Sequence, residues 1–336
     1  MPSFPSRRPG SALRIERLED RTVPSFSPFQ LTGGESIAVG DVFPEVGPGV
    51  ENEIVVGAGP GQQPYVRVYS PAGVLEAEFL AYEPTFLGGV NVAVGNTVVD
   101  TTAVRADYRE IITGPGYGGG PIVKVFNPNS RTAVKQILAF EPTFRGGVNV
   151  AAGDVNTASA TDEIVVGAGY GGGPVVRVFN ADGTAYSSFF AYESSFRNGV
   201  NVAVGDLIAP TVLGGGLPGA EIATGPGEGG APLLKVFTGT GALQRAFYAF
   251  DQAKRNGLSV AVGQTETTLP DNDIFAVEQF TPSDVTPVFR AFQPSNPGQI
   301  EAQFTPFPAG YSRYYNMAVG DVNGDMNLDI VVASEK

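Results

Sequence analysis

One short run, in which small and apolar residues alternate before a closing glycine, punctuates the whole chain. It reads Val-Asn-Val-Ala-Val-Gly at Val90–Gly95 and recurs with small changes at Ser36–Gly40, Val148–Gly153, Val200–Gly205, Leu258–Gly263 and Tyr315–Gly320. The glycines at 40, 95, 153, 205, 263 and 320 are separated by 55, 58, 52, 58 and 57 residues, a period of about 56. After each run comes a polar loop, then an acid directly before an apolar stretch: Glu53, Glu110, Glu163, Glu221, Asp273 and Asp329. Those stretches include Ile54–Gly57, Ile111–Gly114, Ile164–Gly167 and Ile222–Gly225. A glycine-rich turn leads to a third run (Tyr65–Tyr69, Ile122–Phe126, Val175–Phe179, Leu233–Phe237). An aromatic fourth follows (Phe79–Tyr82, Ile137–Phe140, Phe189–Tyr192, Phe247–Phe250). Short β-branched and aromatic runs bounded by Gly, Pro and Asn predict strands, and no stretch of the body carries a helical period.

Four short antiparallel strands per unit, repeated at this spacing, predict an all-β fold, a β-propeller of about six four-stranded blades. One such unit alone exposes two apolar faces; stacking units around an axis buries both. The sixth unit shows only Asn316–Asp321 and Ile330–Ala333. Either the N-terminal stretch Pro24–Leu31, with Phe26 and Phe29, completes that blade, or the chain is a piece of a seven-bladed design. The expected domains are a basic leader or disordered tail over 1–22 and the propeller over 23–336.

Val-Ala-x-Gly-Asp, an Asp-rich loop, Asp/Glu-Ile-Val-Val-Gly-Ala-Gly and Val-Val-Arg-Val-Phe resemble the FG-GAP repeat of integrin α-chain propellers and bacterial VCBS-repeat proteins, over about residues 36–336. Unit five, Leu258–Tyr314, keeps Val260–Gly263 and loses the glycine-rich turn. The resemblance implies that the loop between the first and second strands of a blade can bind calcium. The best-furnished loop is Asp321-Val-Asn323-Gly-Asp325-Met-Asn327-Leu-Asp329. Calcium takes six to eight hard oxygens, and acids at alternate loop positions converge on one point. Asp321, Asn323, Asp325 and Asp329 offer side-chain oxygens, and Asn327 its backbone carbonyl. Met326 stands where the family has Gly, which strains a positive φ there. The alternative is an Asx-rich turn without metal. The other loops are poorer: Asp154, Asn156, Asp162 and Glu163 have Ala158 in place of the central acid, and unit four keeps only Asp206 and Glu221. In most of these loops no metal is expected, and the acid before the second strand is read as a structural hydrogen-bond acceptor or ion-pair partner.

Composition narrows the chemistry. The 336 residues include no His, Cys or Trp. That removes disulfides, thiolate nucleophiles, zinc ribbons, Ser-His-Asp chemistry and His-ligated metals. The net charge is −13, and the cations are concentrated at the start, where residues 1–22 hold Arg7, Arg8, Arg14, Arg17 and Arg21. So acidic a body repels phosphate backbones, and no nucleic-acid partner is expected. No apolar run reaches the ~18 residues of a membrane span. Leu13–Ser25, with its Leu-Glu-Asp-Arg-x-x-Pro-Ser core, resembles a leader of exported Planctomycetes proteins, which implies an extracellular or cell-surface bacterial protein.

Three further patterns carry candidate chemistry. Gly114-Pro-Gly116-Tyr-Gly-Gly119 and its repeats fit G-x-G-x-x-G, but they open a strand rather than a helix, so they are read as tight turns and not as a dinucleotide fingerprint. They can still shape a binding rim. Arg67, Lys124, Arg177 and Lys235 share one position of the third strand. They are read as salt-bridge partners, with the acid before strand two as one candidate, ahead of an anion-binding ring. Tyr82, Phe140, Tyr192, Phe250, Phe86, Phe144 and Phe196 are read as blade packing ahead of sugar stacking. The expected function is that of a non-enzymatic, monomeric, calcium-stabilised propeller presenting rim loops to a protein or glycan. One alternative is an extracellular hydrolase or lyase with its site in the asymmetric unit five, at Asp271, Asp273, Glu278, Asp284, Arg290 and Glu301. The other is a pure scaffold module of a surface assembly.

Overall fold

The computed structural model describes residues 12–17, 25–26, 34–43, 52–98, 108–208, 219–263, 272–282, 285–293, 296, 298–307, 309–310, 313–323 and 329–335. In chain order the strands begin with β1 (Ala12–Arg17) and β2 (Ser25–Phe26). Next come β3 (Ser36–Gly40), β4 (Glu53–Gly57), β5 (Tyr65–Tyr69) and β6 (Leu75–Leu80), then β7 (Val90–Gly95), β8 (Glu110–Pro115), β9 (Ile122–Asn127) and β10 (Thr132–Leu138). The third quartet is β11 (Val148–Gly153), β12 (Glu163–Ala168), β13 (Val175–Phe179) and β14 (Ala185–Phe190). The fourth is β15 (Val200–Gly205), β16 (Glu221–Pro226), β17 (Leu233–Phe237) and β18 (Leu243–Tyr248). The fifth is β19 (Ser259–Gly263), β20 (Asp273–Val277), β21 (Phe289–Phe292) and β22 (Ile300–Phe304), before the closing β23 (Arg313–Gly320) and β24 (Asp329–Glu335). Among the described residues no helix is long and apolar enough to cross a membrane.

The chain is a β-propeller. Five blades each pair four consecutive strands in an antiparallel meander, and a further four-stranded sheet has the order β2-β1-β24-β23. In that sheet β1 runs antiparallel to β24, from Ala12 opposite Ser334 to Arg17 opposite Asp329. Thus Ala12–Arg17 lies inside the stretch read as leader or tail. Ser25–Phe26, part of the stretch expected to add a strand, is the outermost strand of the sheet, and Phe29 lies outside the described residues. The apolar core is divided among the gaps between successive sheets. Ile37, Ile54, Val56 and Tyr69 meet Ala318, Val322, Val331 and Ala333 across the junction that joins the two ends of the chain.

The first strand of each sheet is innermost: β3 contacts β7, β7 contacts β11, and so on until β23 contacts β3. At the end of these strands the glycine gives room to its neighbour's side chain. A Cβ on Gly40 would sit 2.6 Å from Val94 Cγ1, and one on Gly320 would sit 2.5 Å from Val39 Cγ1. The second strands need glycine for a different reason. A Cβ on Gly114 would press into the carbonyl oxygen of Val148 in the next blade, which is backbone and has nowhere to move.

The fourth strands differ from expectation. They begin about four residues earlier than the aromatic runs and end before Tyr82, Phe140, Tyr192 and Phe250. These are the outer edges of the blades, and residues such as Glu76, Glu78, Lys135 and Ser187 face or approach solvent. Their polarity hid them from a search for apolar runs.

Two stability predictions follow from this geometry. Gly114→Ala should lower the unfolding free energy by about 1–3 kcal/mol, read from urea titration; an unchanged midpoint would show that the blades can part to admit a methyl group. Removing residues 1–17 strips β1 from β24 and leaves a sheet edge unpaired. The shortened chain should melt at a lower temperature and associate, and a monomer with the parent's melting temperature would refute the role of β1 in closing the sheet.

Candidate functional site

The two ends of the propeller axis are built from different loops. At one end lie the loops that join first to second strands, where the acid opening the second strand folds the loop back. Glu53 Oε2 accepts from the backbone N–H of Val42 (2.8 Å) and Phe43 (3.3 Å). Glu110 Oε2 accepts from Thr97 N at 2.7 Å, Glu163 Oε2 from Asn156 N at 2.8 Å, and Glu221 Oε2 from Leu207 N at 2.9 Å. Each loop is also tied to the next sheet by backbone: Arg109 N donates to Asp41 O, Asp162 N to Asn96 O, Ala220 N to Asp154 O and Asn52 N to Asp321 O. The repeated acid is therefore a hydrogen-bond acceptor for backbone in its own loop.

The candidate calcium loop follows the same plan. Asp329 is buried, and its Oδ2 accepts from Val322 N at 3.1 Å and from Asn323 Nδ2 at 2.7 Å. Asp321 supplies its carbonyl to Asn52 N and to Asn52 Nδ2, the latter at 2.7 Å. Asp325 and Asn327 lie outside the described residues. Asp321, Asn323 and Asp329 are thus brought into one loop, and they carry hard-oxygen donors of the kind calcium takes. Among the described residues no three acids gather closely enough to hold a metal.

Burial shapes the acidity of these groups. Desolvation pushes Glu53 up to about 7, above what its amide donors can offset, and it raises Glu110, Glu163 and Asp162 above the ordinary carboxylate range. Glu141 and Asp182 are held down by hydrogen bonds to their own turns and neighbours, but both are exposed and solvent screens them. An acid that binds its proton more tightly when folded contributes stability that is full below its unfolded pKa and is lost as pH rises through the folded one. The melting temperature should therefore fall between about pH 5 and about pH 8, with Glu53→Gln flattening the slope. A melting temperature that climbs across that range would reverse the sign and refute the assignment.

The other end of the axis is a mouth of about 670 Å³, lined by the starts of the first strands and by the turns between second and third strands. Its floor is a belt of side-chain amides at one repeat position. Asn91 Nδ2 donates to Val148 O at 2.8 Å, Asn149 Nδ2 to Val200 O at 2.7 Å, Asn201 Nδ2 to Leu258 O at 2.9 Å and Asn316 Nδ2 to Glu35 O at 2.6 Å. Each bond crosses to the next sheet. The rim is made by glycine-rich turns with φ of 89° at Gly61, 91° at Gly118, 83° at Gly171 and 91° at Gly229. The residue before each of these glycines is Pro60, Tyr117, Tyr170 and Glu228. Tyr117 and Tyr170 are 67% and 63% exposed, with ring centroids 6.2 Å apart in an edge-to-face pair. The sequence reading, in which these tight turns can still shape a binding rim, did not single out the two tyrosines. The available signal was a variable residue inside an otherwise fixed Gly-x-Gly.

Lys124, Arg177, Lys235 and Arg290 turn to the preceding blade rather than to the acid before strand two. Lys124 Nζ donates to Ala81 O, Arg177 Nη1 to Ala139 O, Lys235 Nζ to Ala191 O and Arg290 Nη1 to Ala249 O, each at 2.8–2.9 Å. Each also lies over the aromatic ring that ends the preceding blade, at 4.9 Å for Lys124 on Tyr82 and 4.6 Å for Arg290 on Phe250. Arg177 additionally meets Glu141 at 2.9 Å, and Arg67 turns instead to Glu78. The aromatic residues serve packing: Tyr82–Phe86, Phe140–Phe144 and Tyr192–Phe196 form edge-to-face pairs.

Among the described acids of unit five, Asp273, Glu278 and Glu301 do not gather into one site. Asp273 and Glu278 flank opposite ends of β20, Glu278 Oε2 is held by Lys254 Nζ at 2.6 Å, and Glu301 is exposed on β22. Arg290 is spent on the preceding blade, and Asp271 and Asp284 lie outside the described residues.

No known family matches the chain, and no curated protein matches it in sequence. Solved structures match it in fold. BBS1N in complex with ARL6DN, soaked with lead, aligns with a TM-score of 0.52 at 11% identity, covering 99% of this chain and 94% of that one. The same complex soaked with mercury gives 0.47 at 10% identity over 92% and 95% of the two chains. A protein of unknown function from Bacteroides caccae gives 0.42 at 11% identity over 76% and 73%. At such identity the likeness to the lead-soaked complex is one of fold alone.

Proposed function

We propose that the chain is an exported, non-enzymatic repeat propeller of six blades, the sixth closed by β1 and β2, which binds a protein or glycan at the cell surface through its axial mouth. One observation carries this reading. The rim turns adopt the same backbone around Pro60, Tyr117, Tyr170 and Glu228, so the fold does not need an aromatic residue there, and two tyrosines are nevertheless displayed to solvent. Exposed Tyr offers large contact area at low entropic loss. BBS1N, of the same fold, was crystallised with the protein ARL6DN, but at that identity the partner does not transfer.

The test is retention on immobilised glycans and extracellular-matrix proteins, comparing the parent with Tyr117→Ala/Tyr170→Ala. Retention by either class, lost in the double variant, is expected; release of reducing ends from a retained glycan would instead make the protein a hydrolase.

Calcium at the Asp321–Asp329 loop belongs to the same proposal. Asp321, Asn323, Asp325 and Asp329 would hold it with the Asn327 carbonyl, and the ion would stiffen the loop that Asp329 already folds. At ~100 times its dissociation constant, a ligand adds about 2.7 kcal/mol. A calcium-dependent rise in melting temperature, absent in chelator and in Asp325→Ala, is the expected outcome; equal curves in all conditions would leave the loop to its hydrogen bonds alone.

A further inference from the structure

We propose that the axial mouth takes a neutral saccharide chain, stacked on Tyr117 and Tyr170 and hydrogen-bonded by Asn198, Gln279 and Glu228. This rests on the axial mouth being the binding face and adds the class of ligand.

The lining selects for a neutral ligand. Glu228 is the one charged residue among the described residues that line the mouth, and no Lys or Arg reaches it. An anionic ligand would find no counter-charge there, in a chain whose net charge is already −13. The nearest cations are engaged elsewhere. Arg145 Nη1 turns back to Pro142 O (2.6 Å) and Phe144 O (2.7 Å) of its own turn, and Arg255 Nη1 turns to Gln252 O (2.8 Å) and Lys254 O (2.7 Å). Arg197 is folded in the same way onto Ser194 and Phe196.

The mouth also offers hydrogen-bonding groups that the fold has not used. The amides of Asn91, Asn149, Asn201 and Asn316 are committed to the belt beneath. Asn198 and Gln279 line the same cavity half-buried, and their side chains make no hydrogen bond among the described residues. A planar amide presents a donor and an acceptor side by side, the pattern that adjacent sugar hydroxyls match, and a carboxylate accepts from two hydroxyls at once. A pyranose ring adds an apolar face of C–H groups, which the exposed face of a tyrosine covers. Aromatic platforms and unpaired neutral amides around one mouth therefore fit a hydroxyl-rich, uncharged ring better than a peptide carboxylate. The volume of about 670 Å³ falls in the ~300–1,000 Å³ range of small-ligand sites and suits a few sugar units rather than a protein domain.

Titration calorimetry on the full chain tests this, with cello-, xylo- and manno-hexasaccharides as neutral probes and oligogalacturonate and an oligo-glutamate peptide as anionic ones. With no Trp and 12 Tyr, tyrosine emission gives an independent signal. At least one neutral oligosaccharide should bind, with little change in affinity between about 0.05 and 0.5 M salt. Tyr117→Ala or Tyr170→Ala should weaken it about tenfold or more, as for an aromatic anchor, and Asn198→Ala should weaken it as well. These side chains are exposed or half-buried, so parent-like melting temperatures check that the variants fold. If only an anionic probe or an immobilised protein binds, and does so through the two tyrosines, the saccharide class is overturned while the axial binding face stands. Binding of any probe that ignores both tyrosine variants removes the face and the saccharide together, and silence from every neutral probe overturns the saccharide.

Discussion

The innermost strands of a propeller cannot lie side by side around one axis unless each leaves room for the next, and this near-contact at the axis governs everything outside it. The innermost strands run from an amide belt at one end to a glycine at the other. At the glycine end Val94 occupies the space beside Gly40, and Val39 the space beside Gly320. At the other end Asn91, Asn149, Asn201 and Asn316 bind backbone carbonyls at the start of the next sheet's first strand. Once the first strands are fixed, the second strands must also approach the neighbouring backbone, and Gly114 meets the oxygen of Val148 there. The apolar surface is then divided among narrow gaps between sheets, each filled by Val, Ile and Phe from both sides.

Much of this was legible because the constraint repeats. A glycine demanded by close approach returns at every turn of the ring, so its period announces both the architecture and the inner strands. The acid before the second strand was legible as an acceptor for the same reason, since every loop must return its amides to something. What was not legible lies where partners come from another unit. Lys124 finds its partners in Ala81 and Tyr82 of the preceding blade, a relation that no pattern within one unit displays. β1 reads as a basic tail because its pairing partner, β24, is at the opposite end of the chain. The outer strands are polar because they border solvent, so an apolar search begins them too late.

Within the repeat, substitutions move together. Tyr82 donates to Thr113 O at 3.0 Å and lies beneath Lys124, and Tyr192 donates to Thr224 O at 2.9 Å and lies beneath Lys235. In the alternate junctions the ring is Phe140 with Val166 and Arg177, or Phe250 with Ala276 and Arg290. A buried phenol needs a polar partner, which the threonine provides. Without the hydroxyl, an apolar residue fills the place, and a planar guanidinium can spread over the ring where a compact ammonium was enough before. Burial drives the Tyr82 and Tyr192 hydroxyls strongly upward in pKa, so they remain neutral donors at any ordinary pH. These are alternative solutions to one packing problem, and each is internally consistent.

That consistency is what makes the exceptions informative. A position that changes in step with its neighbours is being used by the fold, whereas one that changes while its surroundings stay fixed is not. The residue between the rim glycines is Pro60, Tyr117, Tyr170 and Glu228 in successive blades, over turns whose backbone is the same. The rings of both tyrosines stand largely in solvent. Exposing two aromatic rings forgoes the favourable burial such side chains normally gain on folding and creates a sticky patch. Phe190 and Tyr248 are exposed as well, but on the fourth strands at the outer edges of the blades, whereas Tyr117 and Tyr170 are the exposed aromatic residues that line the mouth, where the proposed ligand would meet them.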